Sequence, residues 1–238
     1  MTTISDRAVE VAKMLGGRSD LTSRIYDWLG GAYIELGMGY DFEELEETVD
    51  VTITGTAEDD TYDYPSVAAA APVPEQPTRA VKSIVLLDST TSTTRVVPLM
   101  KKNVQWTDKL IPSLGVPAIW APFKNSIILR PVPNENWTMR CRVWLKPVLY
   151  ATVQDTVLNL PWDWLEILDY SAAIRGHIAL MERDKANEIT ALLHGSEDPR
   201  SGRRTPGLIR QKLIRKQAES FYDDWGMRPV VRGYTKAR

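Results

Sequence analysis

The sequence predicts an α+β protein: an α-helical bundle with an inserted antiparallel β-rich domain and an extended C-terminal tail. Three observations carry this. Apolar residues recur at helical spacing near both ends of the chain, and they alternate at a spacing of two in the middle. The last dozen residues, "MRPVVRGYTKAR", are basic and show no periodicity. The bundle is assigned to residues 1–47 and 151–226, the β-rich insert to 48–150 and the tail to 227–238.

Taken in order, residues 5–15 predict a short helix, capped by Ser5 or Asp6 and stopped by Gly16-Gly17. A second helix is expected over about 20–36, with Ile25, Trp28, Leu29, Ala32, Tyr33 and Leu36 on one side and Gly37 as its end. The period then changes. "TVDVTIT" places Val49, Val51 and Ile53 on one strand face, and further strands are expected at 61–64, 80–88, 94–99, 117–121, 126–130 and 138–146. "PSVAAAAPVPEQP" reads as loop. In "GVPAIWAPFKNSIILRPVPNENW", the "KN" pair predicts a hairpin turn, and "PVP" is expected to bar further pairing because proline lacks an N–H. Helical spacing returns in "NLPWDWLEILDYSAAIRGHIALMERDKANEITALLHG". Ile167, Tyr170, Ile174, Ile178 and Met181 form one stripe, and Leu165, Leu168, Ala172 and Ala179 a second. A single helix of thirty-odd residues, about 45 Å long, is expected in the centre of the bundle. A last helix starts at "TPG", carries Ile214, Ala218, Phe221 and Trp225, and ends at Gly226.

Composition places the chain among ordinary folded proteins, at 43% hydrophobic and 25% charged residues. No apolar run approaches the ~20 residues of a membrane helix, so no membrane partner is expected. Charges in "MTTISDRAVEVAKMLGG" interrupt any secretory core. Cys141 is the only cysteine, which excludes an internal disulfide and fits a reducing compartment.

The net charge of −2 conceals a segregation. Residues 41–63 hold ten acids and no Lys or Arg, whereas 200–238 hold eleven Lys or Arg against three acids. Arg203, Arg204, Arg210 and Lys212 lie at or before the positive end of the last helix, and Asp223 and Asp224 at its negative end. That order opposes the macrodipole. It is understandable if a neighbouring subunit supplies the opposite charge, with Glu43, Glu44, Glu46 and Glu47 as the candidate acidic surface.

Signatures of catalysis are sparse. His177 reads as an ordinary helix residue and His194 as a C-terminal helix residue favoured by the macrodipole. There is no phosphate loop, dinucleotide fingerprint, HExxH or GxSxG. "GSEDPRSGRRTPG" follows a helix rather than a strand, which argues against a phosphate cradle, and the acids of 41–63 lack the spacing of a calcium loop. The eight tryptophans read as core and interface anchors. No catalytic residue, metal ligand or cofactor is expected.

The ordered set "DTYDYPS", "VKSIVLLD", "GVPAIWAPFKNSIILRPVPN", "RVWLKPVLY" and "VLNLPWDWLEILDYSAAIRGHIAL" resembles the head-to-tail adaptor (connector) proteins of tailed bacteriophages, the group that includes tail tubular protein A. The pattern is a Gly-x-Pro, an aromatic, a hairpin ending in Pro-x-Pro, and a Leu-Pro opening a helix. Here these are Gly115, Pro117, Trp120, Pro131, Pro133, Leu160 and Pro161. The resemblance covers about residues 5–195, and the Ala/Pro-rich loop at 65–78 is longer than the pattern. It implies a non-enzymatic ring of twelve copies in the virion neck. The ring would sit between the portal protein and a tail or nozzle protein, and DNA would pass through it without sequence-specific binding. It further implies that the helical part forms the ring. The tail, through Arg228, Pro229, Val230, Val231, Arg232, Tyr234 and Arg238, would reach along the portal. Two other classes stay open on the residues alone: a nucleic-acid-binding protein using the basic residues 200–216, and a hydrolase.

Overall fold

The computed structural model describes residues 2–55, 60–69, 73–88, 95–197 and 204–214. Helix α1 (Ile4–Met14) opens on a capping box. The Asp6 N–H donates to Thr3 Oγ1 (3.3 Å) and the Thr3 N–H to Asp6 Oδ2 (2.7 Å). The cap is therefore Thr3, not Ser5 or Asp6, because only a hydroxyl three residues ahead of a carboxylate makes the exchange reciprocal. Gly16 and Gly17, at φ 79° and 74°, stop the helix. Helix α2 (Thr22–Gly39) runs past the expected stop at Gly37. That glycine sits inside the helix because Pro147 and Leu45 leave no space for a side chain: a Cβ there would lie 2.7 Å from Pro147 Cγ.

The middle of the chain forms β1 (Glu46–Ile53), β2 (Thr61–Asp63), β3 (Ser66–Val67), β4 (Gln76–Asp88), β5 (Arg95–Pro98) and β6 (Met100–Lys101). There follow the single-turn α3 (Val104–Thr107), β7 (Leu114–Gly115), β8 (Ile119–Phe123), β9 (Ser126–Arg130), β10 (Val132–Pro133) and β11 (Trp137–Leu145). One sheet has the order β1-β11-β4, with β3 and β5 sharing the far edge of β4. The second has the order β2-β9-β8-β6. Leu86 and Met139 of the first sheet and Trp120, Ile127 and Leu129 of the second meet in one buried cluster, so the two sheets face each other. β8 and β9 form the expected hairpin, turned at Lys124 with φ 54°. β10 corrects the expectation for "PVP": Val132, between the two prolines, keeps its N–H and donates it to Ser113 O (2.9 Å), and the strand pairs with β7 in parallel. Four residues of the Ala/Pro-rich stretch expected to be loop are strand instead: Ser66 and Val67 form β3 and pair with Pro77 and Gln76 at the start of β4.

The expected single long helix is two: α4 (Leu165–Ala179) and α5 (Arg183–His194). Between them Met181 takes φ 63°, the Glu182 N–H donates to His177 O (2.8 Å), and His177 Nδ1 meets Glu182 Oε2 at 2.7 Å. The bend redirects the chain so that Ala186 and Leu193 are buried, and it leaves Ile178 and Met181, both assigned to a buried stripe, exposed. At 15 residues, α4 is about 22 Å long. It packs against α1, α2 and α5, and its Ile167, Leu168 and Ala172 join Ile4, Val11, Leu29 and Tyr33 in a second buried cluster.

After α5 the chain makes a hairpin, β12 (Gly195–Glu197) with β13 (Arg204–Pro206), and enters a helical segment, 208–214. Two glycines permit this crossing. A Cβ on Gly207 would lie 2.2 Å from Leu193 O, and one on Gly195 would lie 2.3 Å from Thr205 O. Leu208 and Ile209 then return to the helical cluster. Ala218, Phe221 and Trp225 of the expected last helix, and its end at Gly226, lie outside the described residues.

The two clusters are coupled at one joint. The Arg79 guanidinium, from β4, donates to the carbonyls of Gly37 (3.1 Å), Met38 (2.8 Å) and Tyr40 (3.2 Å) at the end of α2, and also meets Asp41. A cation on the free carbonyls of a helix C-terminus is the favourable end for the dipole. Beside it, the Lys146 N–H donates to Pro77 O (2.9 Å), and Pro147 fills the notch at Gly37.

Candidate assembly surfaces

Titratable groups inside the protein are tied into structure. His177 is buried and bonded to Glu182 across the α4–α5 bend. His194 is the last residue of α5. Cys141 lies in the sheet core, where burial pushes its thiol up to about 12. Asp169 of α4 is buried against Arg7 of α1; burial raises its carboxyl above the usual range, and the Arg7 guanidinium (Nε–Oδ1 3.1 Å) opposes that rise. Among the described residues, no three His, Cys, Asp or Glu side chains gather as a metal ion would require.

The residues singled out for a subunit interface fall in three places. Arg204 pairs with Glu197 across the β12–β13 hairpin (2.8 Å), and Lys212 reaches Asp163 (3.5 Å). Arg210 is exposed beside a shallow cleft of about 520 Å³ under the same hairpin. Arg203 lies outside the described residues, as do Arg228, Pro229, Val230, Val231, Arg232, Tyr234 and Arg238 of the tail.

On the acidic side, Glu43 and Glu44 sit on an exposed single turn that leads into β1, and Glu47 is exposed on the strand. Glu46 is different: it pairs with Lys82 (2.7 Å) and Arg142 (3.0 Å). Asp50 binds Arg140 through two bonds (2.8 and 2.7 Å), and Asp60 meets Arg130. Four acids of the run, Asp41, Glu46, Asp50 and Asp60, are thus matched by cations within the chain. Glu43, Glu46, Glu47 and Thr48 line one shallow cleft of about 450 Å³ with Lys82 and Arg142.

A second charged face was readable in the sequence as "MKKNVQWTDK" and "PFKN" but was not singled out. Arg95, Lys101, Lys109 and Lys124 are exposed, Lys102 is half-buried, and none of the five is in an ion pair among the described residues. Aromatic rings support three of them. Lys101 Nζ lies 5.1 Å from the Trp120 ring, Lys102 Nζ 5.3 Å from Trp106 and Lys124 Nζ 5.3 Å from Phe123. Trp106 and Phe123 are themselves exposed, and Ile111 in the following loop is 87% exposed. Elsewhere Trp162, ahead of α4, is 85% exposed.

Two buried cores braced by a polar joint, with the buried charges tied into the frame, define a two-part structural framework. The family model described as SU10 adaptor protein matches residues 2–205, and the chain belongs to that family, one of phage head-to-tail adaptors. None of the curated proteins matches the chain. Portal and tail proteins are the partners that membership implies, and the virion neck is the place. No helix among the described residues is long and apolar enough to cross a membrane.

Proposed function

We propose that this adaptor works as a closed ring, twelve copies round, which seats on the portal, continues its DNA channel and offers the opposite face to the tail. The family match over residues 2–205 carries the proposal. Exposed Ile178 and Met181 at the α4–α5 bend, and Trp162 ahead of α4, are available as contacts on the helical side. The role is one of shape, without catalysis or cofactor. The basic tail, through Arg228, Pro229, Val230, Val231, Arg232, Tyr234 and Arg238, lies on the portal as an extended segment, where backbone bonds hold it and the arginines select the site.

Electron microscopy of the protein mixed with purified portal tests this directly. The expected result is a ring coaxial with the portal, whose symmetry gives the copy number. Protein that stays monomeric beside portal overturns the ring. Deletion of 227–238 should leave a folded protein that no longer co-sediments with tailless, DNA-filled heads, and retained docking overturns the assignment of the tail.

A further inference from the structure

The strand order puts the two charged faces on opposite edges of the sandwich. β5 passes into β6 through one residue, Leu99, whose N–H donates to Ile84 O in the first sheet (3.0 Å). The next residue, Met100, donates to Ala118 O of the second (2.9 Å). This crossing puts β5 and β6 on a shared side of the two sheets. The opposite end of the order is then β1 in the first sheet and β2 in the second. The exposed Glu43, Glu44 and Glu47 lie on or just ahead of β1, and Lys101 and Lys102 on or just after β6, while α3 packs against β8 and β9 and leads into Lys109.

The register also sets the height of the crossing. Ile84 lies opposite Cys141, which lies opposite Val49. β5 runs antiparallel to β4, hence antiparallel to β1, so the chain leaving Leu99 moves towards the Glu46 end of β1. Leu99 accordingly stands at about the level of Val49, and Met100, Lys101 and Lys102 follow it as the chain passes into the second sheet. Two complementary faces on opposite edges are what a head-to-tail contact requires, and such a contact closes into a ring when its rotation permits.

We infer that the occupant of the basic, aromatic β5–β6 edge is the acidic β1 edge of the next copy of this chain. The inference rests on the proposed ring and supplies it with a second contact, from the β-rich part. Within the contact, Lys101, Lys102 and Lys109 face Glu43, Glu44 and Glu47, and exposed Trp106 and Ile111 are covered. Arg204 and Lys212 are not needed as partners of the acidic run, since Glu197 and Asp163 already meet them.

The test is a charge swap in the full-length protein, with and without portal. Lys101→Glu with Lys102→Glu gives a variant with two acidic edges; Glu43→Lys with Glu47→Lys gives one with two basic edges. Each alone should need about tenfold more protein, or higher, to reach half-assembly. Mixed in equal amounts they should reassemble, since every contact in an alternating ring is again complementary. Unchanged thermal melting shows that the folds survive. Should a reversal unfold the protein, the neutral pair Lys101→Gln and Lys102→Gln, together with loss of wild-type rings at high salt, carries the same expectation. Rings of normal stability from either reversal overturn the inference while leaving the ring itself standing, whereas a wild-type protein that forms no ring on portal removes both. Intact rings with weakened binding of short duplex DNA by the lysine variant also overturn it, and reassign the edge to nucleic acid.

Discussion

Two glycines near the end of α2, two residues apart, should respond to the same substitution with opposite sign. Gly39→Ala meets open space, since no heavy atom lies within 4 Å of the added Cβ. It should therefore show the ordinary gain from a better helix former and a less flexible unfolded chain, about 0.4–1 kcal/mol. Gly37→Ala collects the same intrinsic gain but drives its Cβ to 2.7 Å from Pro147 Cγ, 3.0 Å from Pro147 Cβ and 3.2 Å from Leu45 Cδ1. Proline is a rigid obstacle, held in place by the β11 end of the joint, and overpacking of this kind costs about 1–3 kcal/mol. The net expectation for Gly37→Ala is a loss of up to about 2 kcal/mol, and the two variants should differ by about 1–3 kcal/mol. In a chain of 238 residues each kcal/mol moves the midpoint by roughly 2–4 °C. Thermal unfolding followed by circular dichroism should place the two midpoints on opposite sides of wild type. If Gly37→Ala were stabilised as much as Gly39→Ala, the packing of the joint against α2 would be refuted.

Further outcomes are expected from single changes elsewhere. The Cys141 thiol, buried and pushed up to about 12, should ignore a thiol reagent at neutral pH until denaturant opens the sheet core; rapid native reaction would contradict its placement. Glu182, held below its ordinary 4.5 first by the bond from His177 and then by Lys185, has a depressed folded pKa. Its contribution is present above 4.5 and lost as pH falls through the folded value, so Glu182→Gln should lower urea stability at neutral pH and not in strong acid. Gly207→Ala sets a Cβ 2.2 Å from Leu193 O, which should detach the hairpin and 208–214 from the bundle and raise protease sensitivity there while the β-rich part stays folded and protease-resistant. Arg79→Met removes the guanidinium that closes the end of α2 and should split unfolding into two transitions; one unchanged cooperative transition would show that the joint does not couple the cores.

Local pattern made part of this fold legible. In α2 Ile25, Leu29, Ala32, Tyr33 and Leu36 of the expected stripe are buried and Trp28 is half-buried, because apolar side chains in one register leave the helix only one way to face. "KN" between two apolar runs gave the hairpin, since its Lys124 accepts a positive φ. The α4–α5 bend was hidden because neither glycine nor proline marks it. It is made by His177 and Glu182 and by which later residues reach the core. The partners of four acids in the 41–63 run, Asp41, Glu46, Asp50 and Asp60, were hidden for the same reason: Asp50 and Arg140 are separated by ninety residues, and only the register of β1 on β11 brings them together. The lysines around 100–124 stood in plain view beside Trp106 and Phe123. Lacking the topology, nothing in the sequence distinguished that edge from any solvated loop.

The joint and the charged edges belong to one argument. A subunit of the proposed ring has to present each face at a fixed angle to the others, and a chain with two separate cores does not guarantee this. Interfaces between two parts of one chain permit relative motion unless they are large and apolar. Here the connection is small, and polar bonds give it direction. Three carbonyls at the end of α2 converge on one guanidinium from β4, and Pro147 locks into the space that Gly37 leaves. Arg79 and Lys82 also sit on one strand, so the residue that orients the sandwich on the bundle lies three positions from the cation that holds Glu46 at the start of β1. The acidic edge is therefore positioned from the same strand that fixes the sandwich to the helices. Loosening the joint would leave both cores folded while the β1 edge lost its angle to the bundle, and with it the means to meet a neighbour at both levels at once.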